Sequence, residues 1–261
     1  MNKIKNVLIT GGLGSIGFDI CKYFVLRNHN IIIIDNLSID KYNKILSKDL
    51  NKNFISKILY QKIDLTKPIQ IKKFFQLFKK KFFHIDILIN CAGIQHLSPI
   101  ENFSEKMWEK ILSINLSSCF YTCKYAIPLM KKNNWGRIIN ICSVHGQVAS
   151  INKSAYVASK HGMIGLTKTI ALETATLPIT CNAICPGWVD TPIVSKQINQ
   201  KIKNNKSTKK KETFNLLKEK HPNLSFIQGN DIAALAFFLC SEEAKDITGS
   251  AINIDGGWTS Q

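Results

Sequence analysis

Short apolar segments alternate along this chain with segments of helical periodicity. The apolar segments, rich in isoleucine, lie at 6–10, 31–34, 58–63, 85–89, 137–143, 179–184 and 251–254. Helical patterns lie between them, at 15–27, 39–53, 71–78, 105–130, 154–173 and 232–240. A parallel strand that is buried on both faces has no polar side, as in the all-apolar segment 31–34, so predominantly apolar segments separated by helices indicate a parallel sheet. The sequence therefore predicts an α/β fold with a doubly wound parallel sheet, formed by residues 1–261 as a single domain.

A glycine-rich turn, Gly11-Gly12-Leu13-Gly14-Ser15-Ile16-Gly17, joins the first predicted strand to the first predicted helix. Glycines let the backbone approach a pyrophosphate, and the helix N-terminus offers amide donors and the positive end of a dipole. Asp35 ends the second strand, where a carboxylate of such folds binds ribose hydroxyls. The pattern predicts a Rossmann-like dinucleotide site. Later strand ends at the same edge of the sheet are Asp64, Asn90, Ser143 and Pro186.

Tyr156 and Lys160 are four residues apart in a helical segment, so their side chains lie one above the other on one face. The ammonium favours the phenolate, and a tyrosine in this setting can pass a proton near neutral pH. The Ser143 hydroxyl could hydrogen-bond the same substrate oxygen. Tyr-x-x-x-Lys is a common chance spacing on helices, but its occurrence beside a dinucleotide turn favours a proton relay.

The net charge of +17 is almost entirely lysine, since Arg27 and Arg137 are the only arginines. The lysines are spread along the chain among many asparagines and isoleucines, as an A+T-rich genome would encode, and no aromatic-basic motif for stacking bases is visible. We therefore expect no nucleic-acid partner. No apolar run resembles a signal peptide or is long enough to span a bilayer. The eight cysteines lack histidines at zinc-finger spacing, which predicts reduced thiols, no metal site and a cytoplasmic location.

In this order and spacing, the motifs resemble the short-chain dehydrogenase/reductase family over essentially the whole chain. The residues that carry the resemblance are the glycine turn, Asp64, Asn90-x-Ala92-Gly93, Asn115, Ser143, Tyr156-x-x-x-Lys160 and Pro186-Gly187. Within the family, the chain is most similar to the branch that oxidises D-3-hydroxybutyrate to acetoacetate. That similarity rests on Gly93-Ile94-Gln95-His96, Ser143-Val144-His145-Gly146, Asn152-Lys153-Ser154-Ala155-Tyr156 and Asp255-Gly256-Gly257-Trp258-Thr259, among other segments. Two residues depart from the family: Ser15 stands at a usual glycine and Cys91 at a usual asparagine.

The resemblance implies reversible hydride transfer between NAD and a short 3-hydroxy acid, and a homotetrameric enzyme. It implies that Tyr156 is the general acid and base, Lys160 its tuner, Ser143 the residue that orients the carbonyl, and Asn115 the holder of a relay water. The implied cofactor residues are Gly11, Gly14, Ser15, Ile16, Gly17, Asp35, Asp64, Leu65, Asn90, Ala92, Gly93, Tyr156, Lys160, Pro186, Gly187, Val189 and Thr191. The implied substrate residues are Gln95, His145, Lys153 and Gln197 around the carboxylate, with Ser143, Tyr156, Trp188 and Trp258.

Two other functions are compatible with this sequence. A 3-oxoacyl-carrier-protein reductase has an acidic partner that would suit the basic surface, but such reductases usually prefer NADPH, which Asp35 opposes. A chain of this fold that only binds nucleotides or nucleic acid should have a damaged proton relay. Here Ser143, Tyr156 and Lys160 are all present.

Residues 191–223 are predicted to form a lid within the domain. The segment begins at the proline-flanked turn Asp190-Thr191-Pro192 and ends near His221-Pro222, and its central run is dense in lysine and asparagine. Apolar flanks on either side have helical spacing. We expect one or two mobile helices that close when both ligands are bound and bring Gln197 to the carboxylate; a permanently ordered helix pair is the alternative.

Overall fold

One parallel sheet of seven strands occupies the centre of the part of the chain that the structure describes. The structure is a computed structural model that describes residues 3–82 and 84–260, except for the side chains at 49, 80–82 and 193. The strands are β1 Asn6–Thr10, β2 Asn30–Asp35, β3 Ile58–Lys62, β4 Ile87–Asn90, β5 Gly136–Ile141, β6 Ile179–Pro186 and β7 Ala251–Ile254. Their order is β3-β2-β1-β4-β5-β6-β7, with every neighbouring pair parallel. The predicted doubly wound α/β fold is confirmed.

Both faces of the sheet are covered along β4, β5 and β6, whose residues are all buried, whereas the edge strand β3 exposes Leu59, Gln61 and Lys62. Successive residues of β1 point to opposite faces: Val7 and Ile9 belong to one core and Leu8 to the other, all fully buried. Burying each such side chain contributes about 1.5–3 kcal/mol. The helices are α1 Ser15–Val25, α2 Ile39–Asp49, α3 Lys52–Ile55, α4 Pro68–Phe82, α5 Glu105–Leu112, α6 Ser118–Lys132, α7 Ser154–Glu173, α8 Pro192–Asn205, α9 Lys209–Lys220 and α10 Gly229–Leu239.

The helix predicted from Glu105 to about Met130 is interrupted by a π-helical turn at Ser113–Ser117, which separates α5 from α6. Within this turn the Asn115 side chain is fully buried. Its Oδ1 accepts the backbone N–H of Ile94 at 2.9 Å and its Nδ2 donates to the Ile94 carbonyl at 3.0 Å. Single π turns are common at functional sites. Here the turn carries an asparagine that holds the loop after β4.

The glycine turn after β1 is held against the end of β2. Gly11 has a φ of +65° and donates its N–H to the Ile34 carbonyl at 2.8 Å. A Cβ on Gly17 would lie 2.2 Å from the Gly11 carbonyl oxygen, so a side chain at this position is excluded. Ser15, the departure from the usual glycine, is exposed at the first position of α1 and does not disturb the turn.

The segment predicted as a lid forms the helix pair α8 and α9. Val194 and Ile198 of α8 pack with Leu216 of α9 in a small apolar cluster, against which Trp188 and Phe226 also pack. The chain enters and leaves this segment at neighbouring points, because Val189 and Ile227 form an isolated parallel bridge. The predicted helices are therefore present, and their movement stays a prediction.

All eight cysteines are free thiols, seven of them buried. Among the described residues, no helix combines the length and the apolar character needed to cross a membrane. The same residues include no group of three or more histidine, cysteine or acidic side chains that could hold a metal ion.

Candidate active site

A cavity of about 140 Å³ lies beyond the carboxyl ends of β5 and β6. It is lined by every residue that the sequence predicts to contact the substrate, although these residues are spread along the chain from position 95 to position 258. They are Gln95, Ser143, His145, Lys153, Tyr156, Trp188, Gln197 and Trp258. Lys160, Pro186, Gly187 and Val189, predicted to bind the cofactor, line it as well.

A second cavity of about 420 Å³ runs along the glycine turn to the ends of β2 and β3. It is lined by predicted cofactor residues, namely Gly11, Gly14, Ser15, Ile16, Gly17, Asp35, Asp64, Leu65, Ala92, Gly93 and Thr191. The two cavities share Ile16, Cys91, Gly93, Ile94 and Thr191, so they meet at one boundary. A dinucleotide fits this arrangement. The glycine turn lets the backbone approach a pyrophosphate closely, and Asp35 offers a carboxylate to the ribose hydroxyls.

Asp35 is fixed at the end of β2 by backbone donors. Its Oδ2 accepts the Leu13 N–H at 3.1 Å, and its Oδ1 accepts the Asn36 N–H at 2.8 Å. The Asp35 carboxylate therefore connects the glycine turn to the end of β2. Oδ1 also accepts the Leu37 N–H at 3.3 Å, so Oδ2 is the oxygen that keeps acceptor capacity for a ligand hydroxyl.

Asn90 does not lie in either cavity. Its Oδ1 accepts the Thr122 hydroxyl at 2.6 Å, and its Nδ2 donates to Asn140 Oδ1 at 2.9 Å. The side chain points into the core between the sheet and α6, because consecutive strand residues face opposite ways. The Asn90 side chain therefore has internal partners and faces neither cavity, although the next residues, Cys91 and Ala92, line the larger one. The assignment of Asn90 to the cofactor stays a prediction.

Asn115 also lies outside both cavities, although it is close behind the boundary between them. Besides the two bonds to Ile94, its Nδ2 donates to Ser159 Oγ at 3.1 Å, so both amide hydrogens are used inside the protein. A Cβ placed on Gly93 would lie 3.6 Å from Asn115 Oδ1 and 3.9 Å from Lys160 Nζ. These contacts favour a role in positioning the Gly93 loop. The role of Asn115 in holding a relay water stays a prediction.

Tyr156 and Lys160 lie one turn apart on α7, as predicted. Lys160 is buried, and its Nζ donates to the Ile141 carbonyl at 2.8 Å and lies 5.7 Å from the centroid of the Tyr156 ring. The ammonium is thus anchored to the last residue of β5, two residues before Ser143. This anchor fixes the ammonium in relation to the tyrosine and the serine of the proposed relay.

Ser143 leaves β5 in an extended conformation and caps the short turn Val144–Gly146. Its Oγ accepts the His145 backbone N–H at 3.2 Å and lies 3.3 Å from His145 Nδ1. The His145 ring is buried and packs edge-on against Tyr156, with ring centroids 5.8 Å apart.

Lys153 places a buried ammonium in the small cavity. Its side chain is 6% exposed, and its Nζ lies 4.7 Å from the centroid of the Trp188 ring and 3.4 Å from His145 Nε2. Burial lowers the pKa of Lys153 to about 8, although the carboxylate of Glu219 acts in the opposite direction. None of the ion pairs between described residues involves Lys153. A buried cation without a paired carboxylate favours an anionic ligand.

The indole N–H of Trp188 is buried and has no hydrogen-bond partner among the described residues, while its ring lines the same cavity. A buried donor without a partner is costly, so it indicates that a ligand or a water satisfies it.

His221 lines neither cavity but supports the backbone of Trp188, which does, and the sequence did not reveal it. It is fully buried, its Nε2 accepts the Trp188 N–H at 2.7 Å, and its Nδ1 faces the Ser225 carbonyl at 2.8 Å. Burial lowers the pKa of His221, so the ring is neutral and donates from Nδ1. It fixes the backbone at Gly187, where a Cβ would lie 2.3 Å from His221 Nε2. Nothing in the sequence around His221-Pro222 signals this contact with a residue 33 positions away.

Known proteins with similar sequences are dehydrogenases, in agreement with the geometry of this site. A family profile described as short chain dehydrogenase matches residues 5–202. The chain is 41% identical over 263 positions to the D-beta-hydroxybutyrate dehydrogenase of Cupriavidus necator, which covers 98% of both proteins. It is 40% identical to the protein of the same name from Rhizobium meliloti, over 98% of this chain and 99% of that one. Among solved structures, ElxO with NADP bound has a TM-score of 0.87 and 29% identity, over 99% of this chain and 100% of that chain.

Proposed function

The chain belongs to the short-chain dehydrogenase family, and from this premise we propose that it interconverts D-3-hydroxybutyrate and acetoacetate with NAD as its cofactor. The observation that carries the proposal is the buried ammonium of Lys153 in the cavity that also holds Ser143 and Tyr156. A short 3-oxo acid has a carbonyl and a carboxylate close together. The cavity offers a proton relay for the first group and a cation for the second.

The charge on Lys153 suits a carboxylate because a charge-assisted hydrogen bond in a buried site contributes about 1.5–3 kcal/mol. Binding a carboxylate also removes the cost of burying an unpaired ammonium. His145, Gln95 and Gln197 line the same cavity and offer further polar contacts. The relatives named D-beta-hydroxybutyrate dehydrogenase support this choice of acid.

The proposed chemistry needs three side chains at the reacting oxygen. In the oxidation, Tyr156 takes the hydroxyl proton as general base, Lys160 stabilises the phenolate, and Ser143 donates a hydrogen bond to the developing carbonyl oxygen. The nicotinamide ring of the bound cofactor supplies the hydride acceptor. In the reduction, Tyr156 returns the proton. The anchor of Lys160 on the Ile141 carbonyl keeps the ammonium in place through both directions.

The preference for NAD over NADP rests on Asp35. Its carboxylate is 9% exposed and lines the larger cavity near the glycine turn. It can accept hydrogen bonds from ribose hydroxyls and repels a 2′-phosphate. The carrier-protein reductase alternative, which usually uses NADPH, is less favoured for this reason.

We extend the proposal to residues 191–223 as a lid. Thr191 borders both cavities, and α8 contributes Val194 and Gln197 to the smaller one. The bridge between Val189 and Ile227 brings the two ends of the segment together, which suits movement as one unit. Closure would exclude water from the reacting atoms.

Assembly and location are parts of the same proposal. A homotetramer is supported by apolar side chains that stay exposed on one chain, such as Ile100 and Leu172, each 79% exposed, and Trp108. Light scattering of the purified protein measures this directly. A reducing, cytoplasmic location is supported by the eight free cysteines, since disulfides are rare in such compartments.

The test is a steady-state assay of the purified protein with acetoacetate and NADH, beside an acetoacetyl thioester and NADPH. The proposal predicts a higher kcat/KM for the first pair. Faster turnover of the thioester with NADPH would support the carrier-protein reductase and contradict the proposed pocket. Absence of turnover with either pair would contradict both enzymes.

A further inference from the structure

The His145 imidazole connects the Lys153 ammonium to the Ser143 hydroxyl. Its Nδ1 lies 3.3 Å from Ser143 Oγ, and its Nε2 lies 3.4 Å from Lys153 Nζ and 2.9 Å from Ser150 Oγ. The ring is 3% exposed, so protein groups and not bulk water decide which nitrogen carries the hydrogen. The substrate carboxylate site and the reacting oxygen site therefore share one side chain.

The protonation state of this ring follows from its surroundings. Burial, together with the charges of Lys153 and Lys220, lowers the pKa of His145 to about 3, so the imidazole is neutral in the physiological range. A neutral imidazole has one donor nitrogen and one acceptor nitrogen. An ammonium can only donate. When Lys153 is charged, its ammonium at 3.4 Å and the Ser150 hydroxyl at 2.9 Å both have hydrogens to donate to Nε2. This favours Nε2 as the acceptor and places the hydrogen of the ring on Nδ1.

This tautomer determines what the Ser143 hydroxyl can do. The His145 backbone N–H already donates to Ser143 Oγ at 3.2 Å. An Nδ1–H donating to the same oxygen occupies its second lone pair. The Ser143 O–H then has no acceptor within the turn, so it can donate a hydrogen bond to a ligand oxygen in the cavity. In the other tautomer Nδ1 would accept that hydrogen and withdraw it from the substrate.

We propose that His145 is a positioning residue that fixes the Ser143 hydroxyl as a donor toward the reacting oxygen, and that Lys153 selects the imidazole tautomer required for this. The inference rests on the proposed function for the identity of the reacting oxygen. It goes beyond a contact between His145 and the substrate carboxylate, because the ring acts on the reacting oxygen through Ser143. It follows that losing the charge on Lys153 slows hydride transfer as well as weakening substrate binding.

The first test needs no substrate. In protein labelled with ¹⁵N-histidine, the ring signals of His145 are assigned as those missing from the His145→Asn variant. We expect the Nδ1–H tautomer in the wild type near neutral pH and a shift of population toward Nε2–H in Lys153→Met. An Nε2–H tautomer in the wild type would overturn the proposal. An unchanged tautomer in Lys153→Met would overturn the part assigned to Lys153.

The second test compares two substitutions of the same residue. In His145→Asn, the amide nitrogen can occupy the position of Nδ1 and still donate to Ser143 Oγ. In His145→Gln, the amide nitrogen reaches the position of Nε2 instead, so the donor to Ser143 Oγ is lost. In single-turnover hydride transfer from NADH to acetoacetate, we expect the Gln variant to be about 10- to 100-fold slower than the Asn variant, as for the loss of a hydrogen bond in a charged network. Equal rates, or a slower Asn variant, would overturn the proposal.

A double-mutant cycle separates positioning from a general structural role. In a Ser143→Ala background the relay has no hydroxyl to position, so the two His145 variants should transfer hydride at equal rates. A rate difference that persists in this background would overturn the inference. If the wild type fails to reduce acetoacetate although His145 is in the Nδ1–H form, the proposed function fails alone. If the enzyme is active and His145 is in the Nε2–H form, only the inference fails.

Discussion

Replacing Lys153 by methionine should weaken substrate binding and stabilise the fold at the same time. Methionine keeps much of the length of the side chain and can pack against Trp188, but it removes the buried charge. The lost charge-assisted hydrogen bond of about 1.5–3 kcal/mol corresponds to a rise of about 10- to 150-fold in the KM for acetoacetate. The steady-state KM with saturating NADH measures this effect.

The gain in stability follows from the lowered pKa of the same residue. Burial takes the pKa of Lys153 from 10.5 to about 8, and this difference corresponds to about 3 kcal/mol. Because the folded protein binds this proton more weakly than the unfolded chain, the cost is fully present below pH 8 and disappears as the pH rises through 10.5. At pH 7 the free energy of unfolding of Lys153→Met should therefore exceed that of the wild type by up to about 3 kcal/mol. Urea denaturation at pH 7 and pH 10 measures the difference and its expected decline.

The pH dependence of KM provides a further check on the same residue. Binding of the carboxylate needs the ammonium, so the KM of the wild type should be constant below about pH 8 and rise above it by about tenfold per pH unit. In Lys153→Met this rise should be absent. Lys168→Met removes an exposed lysine from α7, the helix that Lys153 immediately precedes, and serves as the matched control. An unchanged KM in Lys153→Met, or an equal effect in the control, would refute the reasoning.

The remaining predictions concern the relay, the cofactor and the lid. Tyr156→Phe should lower kcat by about 10²–10⁴-fold while NADH affinity, measured by fluorescence titration, stays nearly unchanged; near-normal turnover would contradict the mechanism. Asp35→Ala should lower kcat/KM for NADH and raise it for NADPH, and equal efficiency of the wild type with both cofactors would count against the position assigned to Asp35. Hydrogen exchange of residues 191–223 should slow when NAD and a non-reacting acetoacetate analogue are both bound. Protection that is already high in the free enzyme and does not rise would favour the permanently ordered helix pair.

The parts of the fold that the sequence predicted are those governed by local patterns. The strands were recognisable because residues such as Val7 and Leu8 must both be apolar when the two faces of a sheet are covered. The position of Asp35 followed from the end of its strand and from the glycine turn before it. Tyr156 and Lys160 were placed correctly because helical spacing alone brings them together.

The parts that it missed depend on contacts between distant residues. The π turn at Asn115 accompanies its bonds to Ile94, 21 residues away, and a helical pattern contains no trace of them. The burial of His221 depends on Trp188 and Ser225, which come together only in the folded chain. The place of Asn90 at a strand end does not reveal which way its side chain points, and in the structure that side chain bonds Thr122.

The most direct test of the central claim compares acetoacetate with its methyl ester, using NADH and the wild type beside Lys153→Met. The two substrates share the reacting carbonyl and differ in the carboxylate that Lys153 is proposed to bind. We predict that kcat/KM of the wild type is at least about tenfold higher for the acid, and that this advantage disappears in Lys153→Met. Equal kcat/KM values for the acid and the ester in the wild type would contradict the account.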